Sequence, residues 1–346
     1  MLSLLDLPLE LRELIIELVL NSQRMPPAAP SQSNRGDFRD IKYRAWRHDI
    51  YYERRQSHCP NNASGLILTN HQLSEETLTA LDRISSTPYI LDLSVLHEVE
   101  LYPTWLSVPR LTHRVSTLLV NVRLFGHILS RVAARSQVGA GGHLGFQWSF
   151  YALLERFLRY GPVDEKTSQR EAGPSSACSM YADQDVTVKT LVLNFQSAES
   201  ELSFPPEEVD YPWWRDRHHL RDPLPGTETG VTFELSDYKT RPEWFAKYLL
   251  GYIYGLLAMG YHTAEYGKIL YERIGTIKVL VNGEPNAEID LAGPLARLHF
   301  SHVRDTFGHV STEKRLSEFL DWKKETLARR EQLGFRVVWL HDPEFA

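Results

Sequence analysis

The chain has 346 residues and a mass of 39.9 kDa; 42% of its residues are hydrophobic and 24% charged, which supplies a sizeable core and excludes global disorder. A net charge of -6 with a pI near 6.2 excludes a whole-chain electrostatic drive toward nucleic acid or an anionic membrane. Two cysteines, Cys59 and Cys178, exclude a disulfide framework and a four-cysteine zinc site, and fit a reducing intracellular compartment, cytoplasmic or nuclear.

The first predicted element is an amphipathic helix over residues 7–20, with Leu11, Leu14, Ile15, Leu18 and Val19 recurring on one face. Pro8 suits the first helical position, and Glu10 places negative charge near the positive end of the helix dipole. Asp6, Glu10, Arg12, Glu13 and Glu17 interrupt the apolar stretch, so it does not read as a signal peptide. A helix with one apolar stripe needs another surface to cover it.

Residues 21–63 begin with NSQRMPPAAPSQSNRG, whose composition predicts a flexible loop. Residues 35–55 interleave arginines with Tyr43, Trp46, Tyr51 and Tyr52, a combination able to stack bases. Asp37, Asp40, Asp49 and Glu53 dilute its charge, so an exposed strand pair is expected there and not a nucleic-acid site. Residues 66–81, LILTNHQLSEETLTAL, carry a hydrophobic run into an acidic helix.

The pattern Leu7-Pro8-x-Glu10-Leu11-Arg12, followed by Ile15, Ile16, Leu18 and Val19, resembles the first helix of the F-box, in the divergent form common in fungal proteins. The later Thr69-Asn70-His71-Gln72 with Glu75-Glu76 is similar to the segment those proteins carry downstream. The resemblance covers about residues 4–83 and departs from the compact F-box through the insertion at 21–63. It implies docking on the small adaptor subunit of a cullin–RING (SCF-type) ubiquitin ligase through Leu7, Pro8, Leu11, Leu14, Ile15 and Leu18, with the remainder binding an unidentified protein substrate. The alternative is a stand-alone interaction or structural protein in which this helix is the first helix of an ordinary core.

Beyond residue 85 the periodicity changes. Val115-x-x-Leu118-x-Val120-x-Val122, Val188-x-x-Leu191-x-Leu193-x-Phe195 and Ile274-x-x-Ile277-x-Val279-x-Val281 predict half-buried strands, and Leu295-x-x-Leu298-x-Phe300 repeats most of the pattern. Helices are predicted from Trp148, from Pro242 and from Ser311, the last with Ser311 or Thr312 as N-cap and Gly334 at its end. The repeated pattern looks like the strand portion of leucine-rich repeats, but its copies lie far wider apart than the ~20–29 residues of a regular array. The expected fold is mixed α/β: a helical unit over 1–85, then an irregular, degenerate leucine-rich-repeat-like α/β domain over 86–346.

The apolar run from Tyr248 to Tyr261 is shorter than the ~20 residues of a spanning helix, so a buried helix packed closely on a sheet is expected, with Gly251 and Gly255 at GxxxG spacing. Residues 161–186 and 200–230 read as long loops. The second holds Trp213, Trp214 and Arg215 in a stretch with no regular period; such residues are candidate partner-binding anchors, unless one tryptophan simply pins the loop to the core.

Catalytic signatures fail on inspection. VGAGGHLG at 138–145 has Leu144 where a dinucleotide fingerprint needs glycine, and HEVEL at 97–101 ends in Leu101 where a zinc protease needs histidine, its alternation suggesting a strand. His218 and His219 are adjacent and point apart on a regular element. Asp183-Gln184-Asp185 is a carboxylate pair expected to be solvated, not metal-bound. Neither a P-loop nor a GxSxG elbow is present, so a non-catalytic chain without metal or cofactor is expected. An enzyme built from residues scattered in sequence would show itself as a deep polar pocket.

Overall fold

The computed structural model describes residues 4–33, 35–37, 49–53, 61–84, 86–136, 146–162, 183–198, 201–217, 235–260, 263–300 and 311–339. The glycine-rich stretch at 138–145, most of the two long loops, His218 and His219, both cysteines and the middle of the basic stretch lie outside the described residues.

Helices α1 (Leu9–Leu20), α2 (Ser64–Ile67) and α3 (His71–Arg83) close around a small apolar cluster of Ile16, Leu20, Ala63, Leu73, Ala80 and Leu81. Asn70 caps α3 by accepting from the Leu73 amide. Two short strands of the insertion, β1 (Arg35–Asp37) and β2 (Tyr51–Glu53), pair antiparallel. They do not stay with the helices: Ile50 and Tyr52 belong to the larger core, and Ile50 bridges Leu101.

That larger core lies under a six-stranded mixed sheet. Strands β3 (Tyr89–Leu96), β5 (Arg114–Phe125), β6 (Thr187–Ser197) and β7 (Ile274–Val281) are parallel and adjacent in chain order, while β4 (Glu100–Ser107) and β8 (Glu284–Asp290) add antiparallel edges in the order β4-β3-β5-β6-β7-β8. The register aligns Leu91, Val120, Leu193 and Val279 in one apolar row. The predicted α/β class and the three long strands are as the periodicity indicates.

The crossovers carry α4 (Arg131–Ser136) and α5 (Phe146–Tyr160), then α6 (Tyr211–Asp216), α7 (Pro242–Leu257) and α8 (Ala264–Arg273). Helices α5, α7 and α8 pack on the sheet within one apolar cluster, the arrangement expected when parallel strands step in one direction through right-handed crossovers. Phe146, Phe195 and Phe245 meet there, with ring centroids 4.2 Å and 6.5 Å apart from Phe245. Two helices follow the sheet: the short α9 (Ala292–Arg297) and the long α10 (Thr312–Gln332), the latter capped by Ser311 through the Lys314 amide and terminated at Gly334, whose φ of 71° lets the Phe335 amide reach the Arg330 carbonyl.

Four expectations need correction. Leu295 sits in helix α9 and not in a fourth repeat strand, because the Asp290 carboxylate takes the Ala292 amide and starts a helical turn after β8. Residues Ser22–Ser33 are tied down and do not form a free loop: the Arg24 amide donates to Leu106 O, its guanidinium pairs with Glu53, and Pro27 O accepts from Arg123. Residues 211–216 form a helical turn, started by Asp210 accepting from the Trp213 amide. Finally, α7 packs in the core as expected, but Gly251 and Gly255 face outward with no heavy atom within 4 Å of where a Cβ would stand, so they are not its close-packing face. Among the described residues, no helix is long and apolar enough to cross a membrane.

Candidate functional site

Two stripes run along α1 on different sides. Arg12, Ile16 and Leu20, at i, i+4 and i+8, face α3, and both Ile16 and Leu20 are 0% exposed. Leu11, Leu14 and Leu18, at i, i+3 and i+7, face away and are 48%, 54% and 65% exposed. Ile15 and Leu7 are half-buried beside them and Pro8 is exposed. Pro8 stands one position earlier than its composition suggested, as the N-cap, where its carbonyl accepts from the Leu11 and Arg12 amides. All six residues expected to dock therefore sit at or beside a face that the α1–α3 packing does not use.

Arg12 fixes the angle of that face. Its guanidinium forms a bidentate pair with Glu76 on α3, at 2.6 Å and 3.0 Å, and also donates to the Leu7 carbonyl at the Leu-Pro corner. Gln72 donates to the same Glu76 carboxylate at 3.0 Å. The ion pair holds the Glu76 carboxyl below, and the Arg12 guanidinium above, its ordinary value. The two sequence segments that carry the family resemblance are thus joined by one polar network. Arg12 and Glu76 belong to those motifs, yet nothing in their spacing alone announces the contact across 64 residues.

A second surface lies on the sheet face opposite the crossover helices. One register row there reads Thr104, Asp92, Asn121 and Asn194, and the neighbouring one Tyr102, Ser94, Arg123 and Gln196. Over β4 and β3 this face is covered: Asp92 and Ser94 are buried, Arg123 grips Asp92 at 2.5 Å and 2.8 Å, and the same guanidinium holds Pro27 O at 2.8 Å. Over β5–β7 the face residues Leu119, Asn121, Val192, Gln196, Thr276 and Lys278 are only half-buried. Asn194 links β6 to its neighbours by donating to Asn121 on β5 and accepting from the Gly283 amide in the β7–β8 turn. Alternation predicted these outward positions, but not that the insertion would cover one half of them.

The tryptophan segment divides. Trp214 is 0% exposed and donates from Nε1 to Glu98 at 2.7 Å, so it pins its segment to the core and is withdrawn as a partner-binding residue. Trp213 is half-buried against the same core, and Arg215 is exposed but engaged by Asp216 at 2.5 Å and 2.8 Å. Glu98 also takes the Arg217 guanidinium, the Thr240 hydroxyl and the Leu129 amide. Burial lowers the Arg217 pKa and Glu98 opposes it. The HEVEL stretch is therefore a hairpin turn through His97, Glu98 and Val99, with only Glu100 and Leu101 in strand β4, and Glu98 is a buried structural anchor.

Two further sets of charged side chains are also engaged. Asp183 and Asp185 are exposed, as expected, and are also ion-paired: Asp183 meets Arg159 and Arg273, and Asp185 meets Arg329 and Arg273. Arg35, at the start of the basic stretch, is buried and donates to Tyr51 O, Pro103 O and the Thr104 hydroxyl. An apolar cleft between α5 and the sheet, lined by Leu91, Trp105, Leu118, Phe150 and Phe157 among others, offers no carboxylate, histidine, lysine or arginine. Among the described residues no group of three or more histidine, cysteine, aspartate or glutamate side chains is placed to hold a metal ion. No protein-family model matches the chain, and no curated protein or solved structure matches it.

Proposed function

We propose that the chain is an F-box-like substrate-recognition subunit of an SCF-type ubiquitin ligase, working as a non-catalytic bridge without a cofactor. One observation carries this: α1 keeps its apolar stripe Leu11, Leu14 and Leu18 exposed while a different side of the same helix secures it to α3. A helix that is already anchored and still presents leucines at helical spacing suits helix-in-groove docking. The half-open polar face over β5–β7 serves as the surface for the protein to be ubiquitinated. A soluble intracellular setting, cytoplasmic or nuclear, belongs to this proposal.

The test uses the full chain with purified ligase adaptor. Leu11→Asp and Leu14→Asp are expected to leave the circular dichroism spectrum and melting unchanged while weakening adaptor binding by about tenfold or more, the scale of an interface anchor. No binding of the wild-type chain at tens of micromolar removes the ligase role. The second reading is then a stand-alone interaction or structural protein, in which α1 serves its own small core through Ile16 and Leu20.

A further inference from the structure

The β3–β4 hairpin turns through His97 and Glu98, both left-handed, with φ of 50° and 61°, a conformation that Asn, Asp and Gly enter more readily than other residues. The imidazole of His97 lies over Gly126 at the end of β5, where φ is 75° and a Cβ would stand 2.4 Å from His97 Nδ1. The two turns therefore close directly on each other. In that contact the His127 amide donates to His97 Nδ1 at 3.3 Å, and the two imidazole rings stand 4.2 Å apart.

A ring nitrogen that accepts an amide N–H carries no proton of its own, so this geometry favours neutral His97. Among the described residues, the charged groups that bear on the ring are His127, Glu100 and Glu98. Burial first, then His127, lowers the His97 pKa, and the two carboxylates oppose them. Both carboxylates are already engaged: Glu100 accepts from the Tyr102 hydroxyl, and Glu98 is held by Arg217, Trp214, Thr240 and the Leu129 amide.

We propose that the His97–His127 contact is an acid-sensitive latch at the rim of the sheet, whose protonation loosens the adjoining Glu98 socket that seats Trp214 and Arg217. The added proton goes to His97 Nδ1. The His127 amide then loses its acceptor and faces another N–H. Because Glu98 is the next residue in the same turn, movement of His97 displaces the carboxylate that gathers three separate segments of chain. The inference does not depend on the ligase role.

Position 97 offers a clean test. His97→Asn suits a left-handed backbone, retains an acceptor oxygen for the His127 amide, and does not titrate. The measurement is hydrogen exchange at the Leu129 amide, held by Glu98 at 3.0 Å, on the full chain near neutral pH and at about pH 5.5, corrected for intrinsic rates. Protection in the wild type is expected to fall by about tenfold in acid and to stay within about twofold in the variant. Equal losses in both chains, or no loss in the wild type, overturn the latch. If the variant does not fold, the His97 titration read by NMR in the wild type decides: a midpoint below about 6.5 supports the proposal, and one at or above it overturns it.

Discussion

Helices α1 and α7 are both rich in apolar residues at helical spacing, and they end in opposite situations. In α7 the large side chains Trp244, Phe245, Leu249, Ile253 and Leu256 all turn inward, and the outward positions are Lys247, Gly251, Gly255 and Ala258, with Tyr254 beside them. In α1 only Ile16 and Leu20 of the apolar set are fully buried, and the leucines at 11, 14 and 18 face outward. Periodicity reveals that a helix has a face. It does not say which neighbour covers that face, or whether any does.

The sharpest way to break the comparison is to place one charge on each helix. Leu249→Asp, at a position 1% exposed, is expected to cost more than about 3 kcal/mol, because an unpaired carboxylate would be taken out of water. Leu14→Asp, at 54% exposure, is expected to stay within about 0.5 kcal/mol of wild type. Chemical denaturation of both variants reads the difference, and equal losses would mean that the outer stripe of α1 is covered in solution.

A second substitution sharpens it within α1 itself. Ile16→Ala removes a 0% exposed side chain from the small helical cluster, with an expected cost of about 2–4 kcal/mol. The melting of the helical unit should respond to Ile16 and ignore Leu18. A similar response to both would merge the two stripes into one core.

A smaller effect than that of Ile16→Ala, and of opposite sign, belongs to the outer face of α7. Gly251→Ala meets nothing within 4 Å and should stabilise the chain by up to about 1 kcal/mol through helix propensity alone. Destabilisation would instead reveal a partner packed on that face.

Acid adds a local test of the α1–α3 clamp. Glu76 has its pKa lowered by Arg12, so it binds fewer protons folded than unfolded, and its contribution is present above the ordinary carboxylate range and lost as pH falls through it. Glu76→Gln should remove that slope from a pH series of melting temperatures. If the slope survives in the variant, another carboxylate is its source.

The strands at Val115–Val122, Val188–Phe195 and Ile274–Val281 were legible because residues that alternate between a packed and a polar face must alternate in hydrophobicity. Leu295-x-x-Leu298 misled because an i, i+3 pair satisfies a helix equally well, and the Asp290 carboxylate, by accepting from the Ala292 amide, turns the chain out of β8 just before the helix. The hairpin at His97 carries none of the Gly, Pro or Asn that usually mark a turn, so HEVEL read as a strand. Trp213 and Trp214 are chemically identical neighbours, and only the Asp210 cap, which starts the turn of α6, aims one at Glu98 and leaves the other at the rim.

By itself the sequence determined the α/β class, the helical start, the long strands and the outer stripe of α1, because local spacing fixes which side chains share a face. Tertiary structure alone decided which faces are covered. The strap over Arg123, the Arg12–Glu76 clamp and the socket around Glu98 each join residues far apart in the chain. Their stabilisation comes from desolvated, directional pairing, and that exists only once the folded chain has brought the partners together.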